Sequence, residues 1–136
     1  MLRQRGNVNN NMTKLIATII IFFILSSCAQ EKNCAEFKTG KFIYAENGRP
    51  EKIVRTENTQ IEINSETGVE IHTRVEWKSD CEYAMTYEKI LNHPKDVSRV
   101  IGKKIFVEIL ETNGNKIKVR AKSDVMDEKI EFIKTE

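Results

Sequence analysis

The sequence predicts an all-β fold, a small antiparallel meander barrel of eight strands, with a two-sheet sandwich as the runner-up. Three observations carry that prediction. Gly68–Lys78 (GVEIHTRVEWK) alternates cleanly, with Val69, Ile71, Thr73, Val75 and Trp77 on one face and Glu70, His72, Arg74, Glu76 and Lys78 on the other. Such period-2 alternation is the mark of a half-buried strand. Turn clusters recur at regular spacing, and Asn47-Gly48 and Asn113-Gly114 supply the positive φ that hairpins need. The runs between the turns are short and consecutive, so each strand can pair with the next, and closing the meander hides its edges.

The first strand is expected over Phe37–Ala45 (FKTGKFIYA), ahead of the Asn47–Pro50 turn. Glu51–Glu57 and Thr59–Ser65 follow, then the alternating Gly68–Lys78. Ser79-Asp80 turns the chain into Glu82–Leu91, where Tyr83, Met85 and Tyr87 share a face. His93-Pro94 interrupts the pattern, and Pro94 to Val100 suits a single helical turn with proline near its start. Lys104–Thr112 sends Ile105, Val107 and Ile109 inward. Lys116–Ser123 does the same with Ile117, Val119 and Ala121, and Glu128–Thr135 closes with Ile130 and Phe132.

Ahead of these runs lies MTKLIATIIIFFILSSC, Met12–Cys28. Lys14, an uncharged stretch from Leu15 to Leu25 and two small serines match the parts of a secretory signal peptide. The apolar stretch is well short of the roughly 20 residues of a membrane span. Either Met1 or Met12 serves as the start. Leu25-Ser26-Ser27-Cys28 resembles the lipobox of bacterial lipoproteins, which implies cleavage before Cys28 and lipidation, with palmitate among the acyl chains, at that cysteine. The expected organisation is therefore a signal peptide over 1–27, a lipidated Cys28 and tether over 28–36, and a barrel over 37–136. The expected location is the cell envelope, anchored to the membrane through Cys28. The outer membrane is favoured, on its periplasmic or surface face.

Removing the leader changes the charge. It holds Arg3, Arg5 and Lys14 and no acid, so the remainder carries 19 basic against 20 acidic residues, a net charge of −1. A near-neutral balance argues against nucleic acid as a partner, since that affinity comes from clustered Lys and Arg on phosphates. With Cys28 lipidated, Cys34 and Cys81 remain as an even pair in an oxidising compartment, where a disulfide is expected. Separate buried thiols are the alternative. A metal pair is disfavoured, because no Cys-x-x-Cys or His-x-x-x-His spacing accompanies them.

Phe37-Lys38-Thr39-Gly40-Lys41-Phe42 resembles the Gly-x-Trp region at the start of lipocalins, with Phe42 where that family has Trp. The resemblance implies a lipocalin-like barrel. Cys34, the FKTGKF run, IVRT at 53–56, VEWKSDCEY at 75–83 and IGKKI at 101–105 look like a group of small flavobacterial, Bacteroidetes-like lipoproteins of unknown function. Members of that group are sometimes labelled as a DNA topoisomerase IV subunit. That label implies an ATP-driven DNA-cutting enzyme, and this chain has neither a phosphate-cradling glycine loop nor a basic surface.

Catalytic and cofactor motifs are missing from the sequence: there is no Gly-x-Ser-x-Gly elbow, no HExxH and no Walker loop. His72, His93 and Asp80 read as strand-face or turn residues, and Glu70 with Glu76 as a charged strand face. An eight-stranded barrel is either filled by its own side chains or holds one small ligand. The bulky inward set, including Ile71, Val75, Trp77, Tyr83, Tyr87, Ile109 and Phe132, favours the filled form. The expectation is a non-enzymatic envelope module that engages an envelope protein or the cell wall through its outer surface, without a cofactor. The alternative is a lipocalin-type carrier of a small apolar ligand. In that case Trp77, Tyr83 and Tyr87 are the candidate ligand contacts, although Trp77 is expected to pack in the core beside Cys81.

Overall fold

The structure, a computed structural model, describes residues 31–136; the signal peptide and Cys28 lie outside the described residues. Eight antiparallel strands run β1 (Gly40–Tyr44), β2 (Glu51–Arg55), β3 (Thr59–Asn64), β4 (Glu70–Trp77), β5 (Glu82–Leu91), β6 (Lys104–Asn113), β7 (Lys116–Lys122) and β8 (Asp127–Lys134). Each pairs with the next, and β1 closes on β8 with Ile43 opposite Ile133 and Tyr44 opposite Phe132. The result is a closed barrel, not a sandwich, and no strand is left with an open edge.

Closing so short a sheet requires curvature, which two register shifts provide. One lies between β4 and β5 at His72/Thr73, and the other between β6 and β7 at Ile109/Glu111. Such bulges bend a strand and increase its twist. The β6–β7 hairpin is the tightest connection: Asn113 pairs with Lys116, and Gly114 takes φ +56° at the first turn position, where type II′ turns use glycine.

The first strand starts later than alternation suggested. Cys34–Phe37 forms a 3₁₀ turn, and β1 begins only at Gly40, whose φ is +133°. The cause is a disulfide between Cys34 and Cys81, which ties the turn to the β4–β5 connection and packs Cys34 and Phe37 into the core. Backbone and side-chain hydrogen bonds fasten the same segment: Asn33 N–H donates to Thr112 Oγ1 at 3.0 Å, and Lys134 Nζ to the Glu36 carbonyl at 2.6 Å. The helical turn expected over 94–100 is confined to Ser98–Val100.

The core is concentrated at this closed end, where Phe37, Phe42, Ile53, Ile109 and Ile117 are fully buried. All eight strands, the core and the disulfide lie within Lys32–Glu136, which forms a unit of its own.

Candidate functional site: the barrel lumen

At the opposite end, four connections (45–50, 65–69, 92–103 and 123–126) surround the barrel mouth. Below it is a cavity of about 610 Å³. That volume lies within the roughly 300–1,000 Å³ of small-molecule sites. The filled lumen expected from the bulky inward set is therefore confined to the closed end. Those residues do point inward, but they occupy successive layers. The lower layer packs, while Ile71, Met85, Tyr87 and Ile130 in the upper layer stay part-exposed and line an opening.

The wall has two chemically different sides. On β5 to β8 it is largely apolar, built from Met85, Ile105, Val107, Val119, Ala121, Ile130 and Phe132, with Lys118, Glu128, Lys129 and Glu131 also bordering the cavity. On β1 to β3 it is polar, built from Tyr44, Arg55, Gln60 and Glu62. This polar side comes from an inversion of the usual pattern. Antiparallel partners share a face, and Glu62 is paired with the buried Ile53, Gln60 with Arg55 and Ile61 with Val54. The isoleucines of β3 thus face outward and its polar residues face the lumen.

Arg55 forms the floor of the polar side and is only 3% exposed. Its Nε donates to Gln60 Oε1 at 2.7 Å and its Nη1 to the Phe37 carbonyl at 3.1 Å. Its guanidinium lies 4.8 Å from both the Phe42 and Tyr83 ring centroids. Stacking between two π faces while donating to two oxygens offsets part of the cost of burying a cation without a carboxylate.

Glu62 sits above it, half-buried. The Tyr44 hydroxyl donates to its Oε1 at 3.0 Å. Burial raises the Glu62 carboxyl above the ordinary range, and the neighbouring Glu51 charge adds to this; the Tyr44 hydrogen bond and Arg49 oppose it. Tyr44 is itself pushed up, first by burial and then by the Glu62 charge. Tyr87 responds in the same way to burial and to Glu62, so both remain phenols. Arg49 stands at the mouth with its guanidinium 4.0 Å from the Tyr44 centroid, and pairs with Glu51 at 3.0 Å and Glu46 at 3.8 Å.

Of the three candidate ligand contacts, Tyr83 and Tyr87 line the cavity and Trp77 does not. Trp77 packs at the closed end against Tyr83, with ring centroids 4.4 Å apart, and Lys38 lies 5.4 Å from its centroid. Its indole N–H is buried without a protein partner. Asp80, read as a turn acceptor, pairs with Lys38 at 2.6 Å. His72 meets Glu70 at 2.9 Å on the outer wall, and His93 Nδ1 accepts from Lys95 N–H at 3.1 Å. Neither histidine lines the lumen. Comparison with protein-family models, curated proteins and solved structures finds no match.

Proposed function

We propose that this chain is a non-enzymatic binding barrel of the cell envelope, tethered through a lipid on Cys28, that holds a small, mostly apolar molecule in its lumen. The cavity carries this reading. A barrel of eight strands has room for one such ligand when its upper layer is not filled, and here that layer encloses about 610 Å³ behind an apolar wall. The outer face carries Lys41, Lys52, Arg74, Glu76, Lys104, Glu108, Lys118 and Arg120, a charge density suited to water and unsuited to lipid chains. A tether then keeps the barrel at the membrane while its mouth stays open to solvent.

Titrating residues 29–136 with the neutral dye N-phenyl-1-naphthylamine tests the reading. Saturable one-to-one binding is expected in the native sequence, with loss in Ala121→Phe, which fills the lumen from β7. Absence of binding, or binding that Ala121→Phe leaves intact, contradicts it.

A second reading, an envelope protein or wall partner on the outer surface, is favoured by the other consequence of the β3 inversion. Ile43 and Val54 are exposed on the outer wall beside the half-exposed Ile61 and Ile63. A photo-crosslinker at position 43 should capture such a partner in envelopes, and Val54→Glu should abolish the capture.

A further inference from the structure

We propose that the lumen is built for an amphipathic cation: a molecule with an apolar body and a protonated amine that pairs with Glu62. The inference rests on the lumenal reading and names the chemistry of the ligand.

The strand that contributes Glu62 sets the argument. β3 turns Ile61 and Ile63 outward and Gln60 and Glu62 inward. An arrangement that half-exposes two isoleucines and half-buries a carboxylate costs stability on both counts. Local rules are broken in this way chiefly at functional positions. Gln60 has a structural reason to face inward, because it accepts from Arg55. Glu62 has only the Tyr44 hydroxyl, a neutral donor that occupies one of its two carboxylate oxygens. Among the described residues no cation forms an ion pair with Glu62, and Arg49, the nearest at the mouth, is engaged with Glu46 and Glu51.

The two buried charges of the lumen therefore differ in what they can still bind. Arg55 gives its Nε and Nη1 to protein oxygens and lies between two aromatic rings at the floor, away from the mouth. Glu62 lines the cavity, and only one of its two oxygens accepts a hydrogen bond among the described residues. The charged residues lining the cavity balance, Glu46, Glu62, Glu128 and Glu131 against Arg49, Arg55, Lys118 and Lys129, so selection for a cation falls to Glu62 itself, beside an Arg49 held by Glu46 and Glu51. Opposite lies the apolar wall of Met85, Ile130 and Phe132. A ligand with one ammonium and one apolar flank satisfies both sides together. A fatty acid would place its carboxylate against Glu62, or would have to carry it down to Arg55 at the floor, between the Phe42 and Tyr83 rings.

The test is competition against bound N-phenyl-1-naphthylamine in residues 29–136, using dodecylamine, dodecanol and dodecanoate below their micelle concentrations. A hydrogen bond to a charged partner contributes about 1.5–3 kcal/mol, which is roughly tenfold or more in affinity. Dodecylamine should thus displace the dye at least tenfold more tightly than the alcohol or the acid. Glu62→Gln, which keeps the size and the acceptor for Tyr44, should erase that advantage, with each competition read against the variant's own dye affinity. Equal competition by the three chains, a preference for the acid, or an amine advantage that survives Glu62→Gln would overturn the amine assignment with the lumenal reading intact. Failure of the dye itself to bind would overturn the lumenal reading instead.

Discussion

A carboxylate half-buried beside a phenol sets how this barrel responds to pH. Glu62 has a raised pKa in the folded protein, from burial first and then from Glu51, with Tyr44 and Arg49 opposing and Tyr87 facing it from β5. Between the ordinary carboxylate value and the raised one, the folded state binds more protons than the unfolded state. Stability from this group therefore falls as pH rises through that window. Glu62→Gln should melt above the native protein at pH 7, and the gap should narrow as the pH is lowered through the carboxylate range; a constant gap would contradict the assignment. Arg55→Ala removes the partner of Gln60 and of the Phe37 carbonyl and leaves a void between two rings. It should cost about 3 kcal/mol in denaturant unfolding at unchanged slope. Neither residue was legible as a lumen residue from sequence. Apolar residues define the inward face in a pattern reading, so a strand whose isoleucines face outward gives no sign that its polar residues line a lumen. The opposite strands, Ile105–Ile109 and Ile117–Ala121, follow the rule and were readable.

Among the elements, the N-terminal 3₁₀ turn does most to separate the closed end from the open one. Alternation alone placed Phe37 in the first strand, whereas the bridge to Cys81 draws it into a turn that plugs the barrel. The bridge closes a loop of 47 residues. Replacing both cysteines by Ser should cost about 4 kcal/mol in the chain-entropy description and expose amides 33–39 to hydrogen exchange before the strands open. Gly40 follows the turn directly. A Cβ there would meet the Glu136 carbonyl at 2.5 Å and Lys134 Cε at 2.6 Å, at φ +133°. Gly40→Ala should therefore lower the melting temperature more than Gly114→Ala, which bears the cost of a positive φ but stands in open space. The strand sequence and the two Asn-Gly turns were readable because turn chemistry and alternation are local. The plug was not, because the expected Cys34–Cys81 bridge does not by itself say what local conformation the tied segment takes.

At the scale of the molecule, one end of the barrel is a packed core and the other is a lined opening. Sequence reading found the closed meander, the disulfide pair and the bulky inward set. It treated that set as one layer, because period-2 patterning reports which face a residue takes and not its height along the barrel. Height depends on strand tilt and register, which only the three-dimensional pairing supplies. The anchor belongs to this scale too: Cys28→Ala should move the protein from the membrane to the soluble fraction, and retention in the membrane would remove the tether from the account.

Residues 29–136 contain two methionines, Met85 and Met126, and both line the cavity. A carbon-13 methyl-methionine spectrum of this unit therefore has two signals, each reporting from within the lumen. Stepwise addition of N-phenyl-1-naphthylamine should move both signals and saturate at one equivalent. If the two methyl signals stay in place while the dye binds, it binds outside the barrel, and the lumen is not the functional site.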